Sequence, residues 1–521
     1  MTLRTKKKAV AIVLALWVFG HPPSLFAQGP EALYRDLCAQ CHGRDRTGGL
    51  GPALLPESLE RLRLPNVVDV IAKGRLATQM PAFAGQLTPE QITSLAQWLK
   101  TTPAEILEFT LATMRATHWS KPVLPLDGPK DGGDRWNRFV VVEQGDHHLT
   151  VLDGDRFQVL ARLPTHYAVH GGPKFSPDGR FVTVASRDGW VEKFDLWALE
   201  KVAEIRVAVN TRNVAVSSDG RYVAVANTLP ETLVILDSNL APIKILPGQS
   251  LDRKEHSRLS AVYDAPPRKS FIVAFKEMPE LWEVSYDEAA EPVFDGLVHD
   301  HKMAEGLAVP GFLHPKRTRL PAVLDDFFFA PGYRNLIGAS RGGESFVVNL
   351  DVRQAIASLP LEGMPHLGSG ITFEYAGRRV MATTNLRRAE LSVIDLDRWA
   401  LVKSVPLCGP GFFVRSHEKS RYLFVDSMMA PSCRDTLTVI DKTTLEVVKT
   451  LRPKPGKTFA HVEFTADGRY ALASVMEPAP DGALLVIDAD TLAVVREIPA
   501  NKPIGKYNAW NKVHRSEGTS W

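Results

Sequence analysis

Cys38-Ala39-Gln40-Cys41-His42 places two thiols three residues apart with an imidazole directly after the second. At the C-x-x-C-H spacing both thiols can bond the vinyl groups of one haem, and the histidine reaches the iron as an axial ligand. Met80, in Gln79-Met80-Pro81-Ala82-Phe83, offers a soft thioether as the second axial ligand and favours a fairly high reduction potential. Met114 and His118 lie just beyond it and compete for that place. No second C-x-x-C completes a zinc site, and four cysteines are too few for a disulfide-stapled scaffold. A second set of reactive groups recurs further on. His170, Arg212, Asp325, His366 and His461 each stand seven to eleven residues before the glycine of a turn.

Two kinds of element must position these groups. Around the haem motif, Gly29 to Leu37 reads as a short helix carrying the cysteines, and Gly48, Gly49, Gly51 and Pro52 read as a loop around the porphyrin edge. Thr88-Pro89-Glu90-Gln91 is a helix start, with Thr88 as N-cap, Pro89 in the first turn and Gln91 closing a capping box. That helix, through Trp98 and Leu99, packs on the first. Residues 104–118 read as one more helix, and the Pro- and Gly-rich stretch 121–134 as a linker.

From Arg135 a unit of turn, strand, strand ending in Asp or Asn, and strand recurs. Ser176-Pro177-Asp178-Gly179 leads to Lys193-Phe194-Asp195, and Ala466-Asp467-Gly468 leads to Val486-Ile487-Asp488. Eight such units fill residues 135–521, and Arg138 to Leu163 forms a first copy without its opening turn. Alternating apolar strands at this period predict a β-propeller, because one blade cannot bury both of its faces alone. Seven blades remain open as an alternative, since the first unit can complete the last. The connection into each innermost strand reaches the mouth of the central channel, so the five recurrent residues converge on one face of it. The expected fold is thus an all-α haem-binding domain (28–120), the linker (121–134) and an all-β eight-bladed propeller (135–521).

The formal net charge is +3, but Arg4, Lys6, Lys7 and Lys8 lie in a leader of 27 residues without an acid. Removing it leaves 58 Lys+Arg against 59 Asp+Glu, so nucleic acid is not an implied partner. The charged start, the apolar run Ala9 to Gly20 and Ser24-Leu25-Phe26-Ala27 read as a secretory signal over residues 1–27. The expected product is a soluble exported protein in the periplasm, with no lasting membrane insertion. Export permits a Cys408–Cys433 disulfide, but two buried thiols fit the sequence equally.

Residues 29–102 resemble a class I cytochrome c. Over the whole mature chain the sequence resembles the cytochrome cd1 nitrite reductases and their relatives, which join a cytochrome c domain to an eight-bladed propeller holding haem d1. The resemblance is carried by Tyr167-Ala168-Val169-His170, Ser186-Arg187-Asp188 and Asp195-Leu196-Trp197-Ala198. It implies His170 as the proximal ligand of the d1 iron, and Arg187 and Arg212 as anchors for the macrocycle's carboxylates. Met364-Pro365-His366 matches one of the family's two distal histidines. Where the other should stand the chain reads Val323-Leu324-Asp325-Asp326.

That departure makes the chain look closer to the dihydro-haem d1 dehydrogenases of the family, which desaturate a propionate to an acrylate in the last step of haem d1 synthesis. The implied scheme has one covalent haem c as electron outlet and dihydro-haem d1 as substrate. His366 would stand distally as sixth ligand, and His461 would act as proton acceptor. A soluble periplasmic protein would take the electrons, and a cytochrome cd1 nitrite reductase would receive the product. Three alternatives stay open: a nitrite reductase in which Asp325 or Asp326 replaces the missing histidine, a haem d1 carrier without catalysis, and a sensor without d1.

Overall fold

In the computed structural model, residues 29–60, 62–75, 80–103, 108–167, 169–294, 308–340 and 342–519 are described. The leader lies outside them, as do Gln79 and residues 104–107. Helix α1 (Pro30–Leu37) runs into α2 (Ala39–His42), which carries the second thiol and the imidazole. A third helix that the sequence pattern did not reveal, α3 (Leu64–Lys73), buries Val67 and Ile71. Helix α4 (Pro89–Leu99) has the expected capping box, with Thr88 and Gln91 each bonding the other's backbone. It lies on α1, where Tyr34 and Trp98 meet at 5.2 Å between ring centroids.

The helix expected over 104–118 is shorter among the described residues, and it belongs elsewhere. Helix α5 (Leu111–Thr117) buries Met114 among Val191, Ile205, Val223 and Leu236 of the propeller. Trp119–Ser120 then pairs with Ala203 and Glu204 as an added edge strand. An amphipathic turn beside an apolar blade edge buries more surface there than on a small helical domain, and this moves the boundary ahead of α5.

Eight sheets form the propeller, so the seven-bladed alternative is excluded. Blade 1 contains Arg138–Glu143, His148–Asp153 and Gln158–Pro164. Its innermost strand, Pro503–Asn508, comes from the far end of the chain and pairs Tyr507 with Val140. The missing opening of the first repeat is thus supplied by the last strand. Blades 2 to 8 follow in chain order, each starting at the axis and ending at the rim.

The recurrent aspartates end the third strand of their blades, counted from the axis, because their carboxylates cap the turn that follows. Asp153 accepts from the backbone N–H of Asp155 and Arg156, both at 2.8 Å, and Asp395 from Asp397 and Arg398, both at 2.9 Å. Outer strands such as Val494–Pro499 stay exposed, whereas Ser270–Phe275 is buried along its length between neighbouring blades. α6 (Ala509–Val513) and the residues after it cross the far end of the channel. Arg515 there reaches Asp264 of blade 4 at 3.1 Å, and Gly518 bonds Thr372 and Ser416 of blades 6 and 7. Cys408 and Cys433 form a disulfide in blade 7, with Cα atoms 6.0 Å apart. No helix among the described residues is long and apolar enough to cross a membrane.

Candidate functional site

Three histidines share one local arrangement. His42 Nδ1 lies 2.7 Å from the Pro52 carbonyl, His170 Nδ1 lies 2.6 Å from that of Arg212, and His366 Nδ1 lies 2.8 Å from that of Phe412. A ring N–H held by a carbonyl fixes the tautomer and turns Nε2 outward as a lone-pair donor, the usual support of a metal-ligating histidine. Burial lowers the basicity of all three. At His170 the Arg187 and Arg212 cations add to it and carry the ring well below its ordinary value. Each is therefore a neutral imidazole at pH 7.

In the helical domain the loop after α2 folds back over His42. Gly51 donates to the Cys41 carbonyl at 2.7 Å, and a Cβ on Gly51 would lie 2.6 Å from His42 Cε1, so only glycine permits this approach. The Cys38 and Cys41 thiols are free for attachment. Met80 packs on the same apolar cluster as Cys38. The competing ligands are held elsewhere: Met114 is buried in the propeller, and His118 Nε2 lies 2.9 Å from the Asn239 carbonyl.

In the propeller the reactive residues sit at irregularities of the innermost strands. Arg212 is the extra residue where Asn213 faces Ala226 and Thr211 faces Asn227. His461 is the extra residue between Ala460 and Val462, at φ 47°, and His170 starts a longer bulge that ends at Lys174. A bulge breaks the pairing and re-aims its side chain, and a non-glycine residue at positive φ is held there only by its surroundings.

Two chambers result. The inner one, about 310 Å³, fills the channel, and the outer one, about 400 Å³, opens toward the helical domain. His170, Arg212, Asp326, His366 and Phe412 line both, so the chambers meet between the two histidines. Arg187 and Asp325 line the outer chamber together with Glu57 and Ser58 of the helical domain. Burial and the neighbouring Arg212 lower Arg187 to about 10. Arg212 is held by Nε to the Ser260 carbonyl at 2.8 Å, with Nη1 3.1 Å from His170 Nε2. Asp326 is engaged structurally: it accepts from Tyr263 Oη at 3.0 Å and from the Gly368 N–H at 2.9 Å, which fixes the loop carrying His366.

His461 departs from its expected place on the rim. It is fully buried one layer behind the cavity wall, with its ring 4.7 Å from Phe413 and 5.1 Å from Tyr507. Nε2 lies 3.3 Å from Arg415 Nη2, and Nδ1 has no hydrogen-bond partner among the described residues. Burial, with Arg415, Lys506 and Lys512 nearby, keeps the ring neutral far below its ordinary value. The residue facing the chamber in front of it is Tyr507, which the sequence pattern did not single out. Gly172 at φ 73° lets Tyr507 approach, since a Cβ there would lie 3.0 Å from its hydroxyl. The available signal was the incomplete first repeat, whose innermost strand had to come from the C-terminal segment.

Residues 133–512 match the family described as Cytochrome D1 heme domain. The chain belongs to that family. Residues 26–99 match the family described as Cytochrome C oxidase, cbb3-type, subunit III, which makes the helical unit a cytochrome c domain. The dihydro-heme d1 dehydrogenase of Pseudomonas aeruginosa is 49% identical over 94% of this chain and 95% of its own. The solved structure of dihydro-heme d1 dehydrogenase NirN in complex with DHE covers 93% of this chain and 100% of its own, with a TM-score of 0.81 and 48% identity. A nitrite reductase of Stutzerimonas stutzeri is 25% identical over 94% of both chains. The cytochrome d1 propeller thus has ligand-ready histidines facing a cation-rich cavity, and the cytochrome c domain has the thiols and imidazole for a covalent haem. The residues fit both groups.

Proposed function

We propose that this protein is an exported oxidoreductase that binds dihydro-haem d1 in its propeller and converts one propionate side chain to an acrylate. The observation that carries this reading is a neutral imidazole, His461, behind a phenol, Tyr507, at the wall of a chamber flanked by two ligand-ready histidines. The relative at 49% identity carries the corresponding name.

Desaturation takes two protons and two electrons from a –CH₂–CH₂– unit. His170 would hold the substrate's iron from one face and His366 from the other, with Arg187 and Arg212 on carboxylates. Tyr507 would meet the reacting side chain and pass its proton inward to His461, a neutral imidazole whose Nε2 faces Arg415; burial and the surrounding cations make it a weak base that would hold the proton only in passing. A haem c attached at Cys38 and Cys41, with His42 and Met80 as its axial ligands, supplies a one-electron outlet. Glu57 and Ser58 place that domain against the substrate chamber, which keeps the transfer short.

The leader supports a periplasmic location and with it a soluble acceptor for the electrons, and membership of the haem d1 family supports a cytochrome cd1 nitrite reductase as recipient of the product. The test is anaerobic incubation of the ferric protein with dihydro-haem d1. Conversion of the d1 bands with two haem c equivalents reduced per macrocycle is expected. Binding without conversion makes the protein a carrier, and nitric oxide formation from nitrite with a reduced donor makes it a nitrite reductase.

A further inference from the structure

Five cations line the inner chamber (Lys174, Arg212, Arg415, Lys512 and Arg515) against two carboxylates, Asp264 and Asp326. The carboxylates are already engaged. Asp264 pairs with Arg515 at 3.1 Å and accepts from Tyr286 Oη at 2.7 Å, while Asp326 holds Tyr263 and the Gly368 backbone. Lys174 is left without an ion pair among the described residues. Its ammonium lies 5.5 Å from the Tyr263 ring centroid and faces the chamber. Lys512 stands on α6, 4.0 Å from Glu463, a carboxylate that also accepts from Asn511 at 3.0 Å and the Phe464 N–H at 3.1 Å.

An ammonium enclosed without a counter-ion is costly unless an anion completes it. The chamber's own carboxylates, Asp264 and Asp326, act on Lys174 from a distance but are paired with other donors. We propose that Lys174 and Lys512 form a carboxylate-binding subsite that holds the carboxylate of the side chain undergoing oxidation.

The position selects that side chain among the carboxylates of the macrocycle. Lys512 Nζ lies 5.3 Å from the Tyr507 ring centroid, and Tyr507 backs onto His461. A carboxylate held at Lys174 and Lys512 sets the two methylene carbons beside the phenol. Arg187, in the outer chamber toward the cytochrome c domain, holds a different carboxylate. The ammonium groups also lower the negative charge felt at the adjacent carbon, which favours loss of its proton. The reacting chain therefore points down the channel toward α6, away from the electron outlet.

This assignment rests on the proposed function, and one experiment separates the two. Dihydro-haem d1 is titrated anaerobically into wild-type protein, Lys174→Met, Lys174→Arg, Lys512→Met and Arg187→Met. Bound substrate is then followed through a single turnover. The haem c Soret band and the thermal midpoint establish that each variant is folded. Lys174→Met and Lys512→Met should each weaken binding about tenfold and slow oxidation of the bound substrate, consistent with loss of a charge-assisted hydrogen bond. Lys174→Arg should restore most of both, and Arg187→Met should weaken binding alone. Lysine variants that bind as tightly as wild type, or that bind weakly but oxidise bound substrate at the wild-type rate, would overturn the subsite and leave the function standing. Wild-type protein that fails to bind the macrocycle would overturn both.

Discussion

The imidazole of His461 lies 5.1 Å, centroid to centroid, from the phenol of Tyr507, and the two come from opposite sides of the seam that closes the propeller. Of the two only Tyr507 faces the chamber, so in the proposed proton path the phenol would make the contact and the imidazole would stand behind it.

Removing either member should leave binding almost intact and remove turnover. Tyr507→Phe and His461→Ala are each expected to slow single-turnover oxidation by about 10²–10⁴, the usual weight of a positioned proton-transfer group. Titration of dihydro-haem d1 should still give dissociation constants within a few-fold of wild type. An unchanged oxidation rate in His461→Ala would remove it from the proton path.

The histidines proposed as axial ligands should behave differently from that pair. His170→Ala and His366→Ala are expected to shift the d1 absorption bands on binding while leaving the haem c Soret band untouched. His42→Ala should do the reverse. Anaerobic spectra of the loaded variants check this.

Macrocycle affinity should fall as the pH rises through about 8. Burial lowers Lys174 to about 8, with Arg515 pressing it the same way and Asp326 and Asp264 opposing, and burial with Arg415 and Lys174 lowers Lys512 as well. Below that pH the ammonium is charged and can pair with a carboxylate; above it the amine is neutral and the pairing is lost. Bound carboxylate raises the value, so the fall should begin later in the complex than in the free protein. Lys174→Met should bind weakly at every pH, without this step.

The Cys408–Cys433 bridge should matter for stability and little for chemistry. It closes a loop over a separation of 25 residues, for which chain entropy implies about 3.5 kcal/mol. Cys408→Ser with Cys433→Ser should lower the urea midpoint of the propeller while the oxidation rate of bound substrate stays at the wild-type value.

Much of this architecture was legible wherever one residue type has one local use. The C-x-x-C-H motif, the Thr88 capping box and the turn-capping aspartates each report the backbone around them, and their repetition revealed the blades. His170, Arg187, Arg212 and His366 were readable through the family resemblance, and all four line the chambers. What escaped has no local signature. A bulge at Arg212 or His461 adds one residue to a strand without changing its composition. Lys174 looks like any strand lysine until the channel closes around it. Tyr507 belongs to blade 1 by pairing with Val140, across almost the whole propeller sequence. Met114 and α5 were assigned to the wrong domain because an amphipathic helix shows that it has an apolar face but not which surface covers it.

The strand Pro503–Asn508 imposes an order of assembly. Until the last residues of the chain are available, blade 1 lacks its axial strand, the channel lacks Tyr507, and α6 with Lys512 cannot cross its far end. The cytochrome c domain comes first and contains Cys38, Cys41, His42 and Met80, the groups proposed to hold its haem, so that haem could be attached while the propeller is still an open arc. A chain cut short anywhere before residue 503 would thus lack a closed substrate chamber, while the helical domain that would carry the electron outlet would still be complete.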